Sequence, residues 1–95
     1  MSELRIEWDP RKAAGNLEKH GVSFTEAASA FSDEQGRLIP DPDHSADEDR
    51  FVLLGMSRAL RVLVVCHCYR GPSSVIRIIS ARRASRLERA QYGVT

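Results

Sequence analysis

The stretch "RFVLLGMSRALRVLVVCHCYRGPSSVIRIIS", residues 50–80, decides the fold. It divides into three runs rich in strand-forming residues: "RFVLLGM" (50–56), "LRVLVVCHCY" (60–69) and "SVIRIIS" (74–80). The links between them are short enough for hairpins. The middle run is apolar on both faces of its pleat, as a central strand covered on both sides would be. Within it Arg61, Leu63, Val65, His67 and Tyr69 share one face, and Val62, Val64, Cys66 and Cys68 share the other.

Upstream, "RLIP" (37–40) reads as a short edge strand stopped by Pro40, followed by a polar, acid-rich loop, "PDPDHSADEDR" (40–50). "ELRIEW" (3–8) alternates like a strand and runs into Asp9-Pro10, a helix cap followed by a proline suited to the first helical position. The helix "PRKAAGNLEKH" should end at Gly21, with Ala13 and Leu17 stacked on one face and Lys12, Asn16 and Lys19 on another. "SFTE" (23–26) reads as a capping box for a second helix with a buried stripe of Phe24, Ala27, Ala28 and Phe31. Downstream, "SRLE" (85–88) opens a short third helix that Gly93 should close. The order β-α-α-β-β-β-β-α predicts an α+β fold in one domain over residues 1–95: a small antiparallel meander with two N-terminal helices packed on it and a short C-terminal helix.

Composition narrows the class. The hydrophobic share of 42% and the charged share of 28% are those of an ordinary globular chain, and no apolar run approaches the ~20 residues that span a bilayer. The N-terminus alternates charged and apolar residues, unlike a signal peptide, and the two cysteines stand one residue apart. A reduced, cytoplasmic protein with no membrane association is the expectation. The net charge of +1 conceals a division: residues 1–49 carry five Lys/Arg against twelve Asp/Glu, and residues 50–95 carry nine Arg against Glu88 alone. Either the halves neutralise each other on folding, or the basic half meets a polyanion. That every cation there is arginine favours phosphate, which the planar guanidinium grips with two nitrogens at once.

His67 and Arg77 stand out because they occupy strands that should form the core. An ordinary buried histidine is one explanation, but arginine rarely enters such a position without a partner. Whether the two meet depends on the hairpin between them. A three- or five-residue link puts them on one face with Arg61 and Tyr69, and a four-residue link puts them on opposite faces. An imidazole beside guanidiniums is what metal-free RNA cleavage needs, with one group to move protons and others to hold the phosphorane. Arg82, Arg83, Arg86 and Arg89 follow where the last strand turns toward the last helix, as a solvated basic face or as contacts to an RNA backbone. Glu48 and Arg50 stand at the mouth of a strand, and Lys19 and His20 end the first helix within possible reach of the same face. Cys66-His67-Cys68 cannot make a zinc site, since the histidine points away from the thiols, and "DPDHSADED" lacks the glycine and closing glutamate of a calcium loop. No metal or cofactor is expected.

The segments "EWDPRKAAGNLEKHGVSFTEA", "IPDPDHS", "RFVLLGMS", "VVCHCYRG" and "IRIISARRASRLERAQY", in this order, resemble the BrnT-type toxins of bacterial type II toxin–antitoxin systems. The resemblance implies a RelE-like ribonuclease fold and a cofactor-free endoribonuclease that arrests growth. It also implies a BrnA-type ribbon-helix-helix antitoxin as partner, with operator DNA reached only through that complex. Carried over by position, the functional residues are Lys19, His20, Glu48, Arg50, His67, Arg77, Arg82 and Arg83. Proton transfer is expected from Glu48 or His67, with Arg50, Arg77 and Arg82 around the phosphate and Lys19, His20, Arg61, Arg83 and Arg86 on the RNA backbone. The rival expectation is a catalytically silent module that serves only as part of a repressor complex.

Overall fold

In the computed structural model, which describes residues 5–41, 50–71 and 75–93, the three runs form β3 (Arg50–Met56), β4 (Val62–Arg70) and β5 (Val75–Arg83). They pair antiparallel in sequence order, and β2 (Arg37–Pro40) adds antiparallel outside β3. The two-residue β1 (Ile6–Glu7) lies parallel to β5, so the five-stranded sheet β1-β5-β4-β3-β2 is mixed rather than wholly antiparallel. Alternation in "ELRIEW" marks a strand but carries no information about its direction. β5 also runs to Arg83, which puts Arg82 and Arg83 inside the strand rather than in the turn after it.

Helix α1 (Pro10–His20) starts at Asp9, whose carboxylate accepts the Arg11 N–H at 2.8 Å, and ends at Gly21 in the left-handed conformation, φ 69°. Its inward residue is Asn16, buried, while Leu17 is 51% exposed. The Asn16 side chain behaves like a strand neighbour: its Nδ2 donates to the Ala81 carbonyl at 2.8 Å, and its Oδ1 accepts the Ala81 N–H at 3.1 Å. A second Nδ2 bond reaches the Val22 carbonyl at 2.9 Å. One amide thereby ties α1 to the edge of β5 and fixes the turn into α2 (Phe24–Ser29). At α2 only half of the expected capping box forms: Ser23 Oγ accepts the Glu26 N–H, but the Glu26 carboxylate turns to Ser57 and Arg61 instead. At α3 (Arg86–Gln91) the box from Ser85 and Glu88 is complete.

The core lies between the helices and one face of the sheet. Val22, Phe24, Ala27 and Ala30 meet Leu53, Leu63, Val65, Ile78 and Ala81 there, with Phe31 and Trp8 at its margin. Asp33 pins the turn after α2: it accepts the Met56 N–H at 2.8 Å and the Tyr92 hydroxyl. The Tyr92 hydroxyl is pushed up to about 12 by that bond. No helix among the described residues is long and apolar enough to cross a membrane.

Candidate active site

The hairpin link between β4 and β5 spans the four residues 71–74, with Arg70 opposite Val75. That register sets His67 against Ile78 and Arg77 against Cys68, so His67 and Arg77 stand on opposite faces of the sheet. The shared face that a three- or five-residue link would have given them is not formed.

His67 points into the helix side. It is fully buried, with Phe31 edge-on at a centroid distance of 4.7 Å and Tyr69 and Phe51 at 5.5 and 6.2 Å. Its Nδ1 lies 3.1 Å from the Val65 carbonyl, which can only accept, so Nδ1 carries the proton of a neutral ring. Nε2 is buried with no hydrogen-bond partner among the described residues. Burial holds this imidazole below its usual range, against the pull of the Val65 carbonyl.

The face away from α1 and α2 is different in kind. Cross-strand partners share a face, so the register defines three rows of side chains across it. One row holds Arg50, Cys68 and Arg77; the middle row holds Ile39, Val52, Cys66 and Ser80; the third holds Arg37, Leu54, Val64 and Arg82. Arginines flank an uncharged centre on both sides. Asp41 extends the first row, its N–H donating to the Arg50 carbonyl at 2.8 Å.

A β-bulge creates this arrangement. Between Cys66 and His67 the pairing with β5 shifts by one, leaving Ile79 as an extra residue. Without the shift, the alternation that puts Arg77 on this face would turn Ser80 and Arg82 toward the helices. With it, Ala81 enters the core while Ile79, Ser80 and Arg82 line a groove of about 440 Å³ together with Ile39, Asp41, Arg50, Val52, Val64, Cys66 and Glu88.

Charges in the groove are balanced locally. Arg82 holds Glu88 with both terminal nitrogens, at 2.7 and 2.8 Å, and Glu88 Oε1 also accepts the Ser85 N–H at 2.7 Å. Those bonds, the Arg82 pair foremost, bring the Glu88 carboxyl down to about 2. Asp41 is buried and accepts the Cys66 thiol at 3.6 Å, while burial and this carboxylate push the thiol up to about 11. Arg50 acts on the same thiol in the opposite sense. At the end of the first row, Arg77 forms a 2.7 Å ion pair with Glu7 of β1.

The sequence-derived candidates therefore separate. Arg50, Arg77 and Arg82 share the face away from α1 and α2, which α3 borders with Glu88, and Arg86 is exposed on that same helix. His67, Arg61 and Arg83 belong to the other side. Arg61 clamps the Glu26 carboxylate and reaches the Gly21 carbonyl, and Arg83, opposite Leu63, adds to the field that lowers Glu26. Lys19 and His20 end α1, which packs on β5 from the helix side. Glu48 lies outside the described residues. Asp41, Cys66, Ser80 and Glu88 are groove residues that sequence reasoning missed. Asp41 was readable as part of a polar loop, and only the β2–β3 register puts it beside Arg50. Ser80 needs the bulge, for which "VIRIIS" gives no signal.

Comparison with known proteins gives a family match and structural matches. A family model described as the ribonuclease toxin, BrnT, of type II toxin–antitoxin systems matches residues 8–88. The 1.1 Å crystal structure of the Brucella abortus ribonuclease toxin, BrnT, is similar to this chain with a TM-score of 0.68 at 27% identity, over 88% of this chain and 100% of that one. A comparison with curated proteins gave no match. With the family match running from Trp8 to Glu88, through the helices, the sheet and the groove, this chain belongs to the BrnT family of ribonuclease toxins of type II toxin–antitoxin systems.

Proposed function

We propose that this chain is a metal-independent endoribonuclease whose reaction takes place on the face of the sheet away from α1 and α2. The observation that supports this reading best is the pair Arg50 and Arg82, on either side of one groove with the Asp41 carboxylate beside Arg50. The ribose 2′-oxygen attacks the adjacent phosphorus and the bond to the 5′-oxygen breaks, leaving a 2′,3′-cyclic phosphate. A carboxylate accepts the 2′-OH proton, the departing 5′-oxygen takes a proton from water, and the two guanidiniums stabilise the charge that grows on the nonbridging oxygens. Asp41, which lines the groove, and Glu48, two residues before Arg50, are the carboxylates proposed for this step. Arg77 borders the same face, and Arg86 offers a backbone contact beside it. The proposed partner is a ribbon-helix-helix antitoxin that masks the toxin and carries the complex to operator DNA. The type II toxin–antitoxin family description supports a proteinaceous partner.

One observation favours the silent-module reading: Arg77 and Arg82 are already engaged by Glu7 and Glu88. Both pairs are partly exposed, and in water such pairs hold by no more than about 1 kcal/mol, so an RNA phosphate can displace them. Induced expression in a bacterium separates the readings. Growth arrest, with cleavage by the purified protein in EDTA and cyclic-phosphate ends on the fragments, is the expected result. Well-folded protein that neither arrests growth nor cuts RNA would leave the silent module as the better description.

A further inference from the structure

Among the described residues nothing covers the outer edge of the sheet at β2, which natural edges seldom allow. β2 ends the strand order at four residues, all exposed, and no described strand pairs with its far side. Edge strands are normally guarded by charge, by proline or by a covering element. Here the guards are only terminal, Arg37 at one end and Pro40 at the other. Between them Leu38 and Ile39 are 50% and 51% exposed, on opposite faces of the sheet. Ile39 continues into an apolar depression of about 150 Å³ formed with Val52, Leu54, Val64 and Leu87, and Leu87 itself is 81% exposed. An apolar strip thus crosses the sheet edge onto α3.

Exposed arginines among the described residues border the strip. Arg37 lies on the strand, and Arg86 and Arg89 flank Leu87 on the helix, all exposed. The only acid of that helix, Glu88, is taken by Arg82. We propose that this edge receives an extended segment of the antitoxin, which adds beside β2 as a sixth strand. Its backbone supplies the hydrogen bonds that β2 has left over, and apolar residues on both of its faces cover Leu38 and Ile39. Acidic residues in the same segment meet Arg37, Arg86 and Arg89. The inference rests on the toxin–antitoxin reading above and adds to it the place of docking and the chemistry of the docked segment.

The test uses the wild-type chain, free and saturated with its cognate antitoxin, and follows backbone hydrogen exchange. Slower exchange is expected at Leu38, whose N–H points outward because the Asp41 N–H points to Arg50 and the direction alternates along the strand, with the 57–61 turn unchanged. Alongside it, Leu38→Glu is expected to weaken antitoxin binding at least about tenfold, and Leu60→Glu, on a more exposed leucine in the 57–61 turn, is expected to leave it unaltered. Unchanged exchange in β2 within the saturated complex, or wild-type affinity in Leu38→Glu, would overturn the proposal. Growth arrest is scored separately. A chain that binds through β2 yet cuts no RNA would sink the nuclease reading and leave this one standing.

Discussion

Arg82 carries much of the argument at the scale of single residues. Its two-nitrogen grip on Glu88 shows that the guanidinium is oriented for an oxyanion pair, which is also how it would meet a phosphate. Replacing Glu88 with Gln keeps a capping residue for α3 and removes the competing charge, so RNA affinity should rise a few-fold in a binding titration. Arg82→Lys cannot make the forked contact and should cleave at a rate close to that of Arg82→Ala, with both down by about 10²-fold or more. His67 calls for the opposite expectation. A neutral ring with a bare, buried Nε2 is a core side chain, so His67→Leu should fold and should keep its RNA cleavage. It should also lose a component of pH-dependent stability. The folded ring sits below its unfolded value of 6.5, so the unfolded chain binds the proton first and stability falls as pH drops from 6.5 toward the folded value. Thermal melts of wild type and His67→Leu at pH values above and below 6.5 would show this difference, and parallel curves would contradict it. From sequence, His67 and Arg77 could be singled out but not assigned to a face, since one residue more or less in a link reverses the answer.

The elements divide by whether their signals are local. Asp9-Pro10, Gly21, Ser23 and the Ser85–Glu88 box mark helix ends within a turn, and those ends stand where the sequence puts them. The face by which α1 packs was not legible: Leu17 looks like its anchor, yet buried Asn16 is the contact, through three bonds to backbone atoms distant in sequence or across a turn. Nothing in "AAGNLEK" reveals a carbonyl of β5. Asn16→Ala would strand the Ala81 backbone and the Val22 carbonyl, and should cost about 3 kcal/mol in a denaturant titration. A loss below about 0.5 kcal/mol would mean that water replaces the amide. The bulge at Ile79 is the other hidden feature. It alone puts Arg82 opposite Val64 in the groove and Arg83 opposite Leu63 on the helix side, two neighbours in "SARRA" with unrelated tasks.

Across the whole molecule, the acidic half of the chain is in part a set of counter-charges for the basic half. Glu26 meets Arg61 and Glu7 meets Arg77, and in both contacts the acid comes from the first half of the sequence and the base from the second. The exception is Glu88, which serves Arg82 within the basic half. Glu26, Asp33 and Glu88 all titrate below their usual values, Glu26 through Arg61, Asp33 through bonds that outweigh its burial, and Glu88 at about 2. A depressed carboxylate contributes stability above its unfolded value that is lost as pH falls through the folded one. Acid unfolding should therefore begin below pH ~4.5 and continue toward pH ~2, on top of the histidine loss that starts as pH falls below 6.5. Added salt should weaken RNA binding strongly and alter the melting temperature little, because the arginines proposed to meet RNA are not those that hold the core.

In the proposed reaction the chemistry belongs to the face away from α1 and α2 and not to the buried histidine. Cleavage of one RNA by purified wild type, Arg50→Ala, Arg82→Ala and His67→Leu, at matched folded concentration and in EDTA, tests it most directly. The account predicts cyclic-phosphate products from wild type and His67→Leu at similar rates, with both arginine variants slowed by about 10²-fold or more. Full activity in the arginine variants, with none in a well-folded His67→Leu, would contradict it and return the active site to the other side of the sheet.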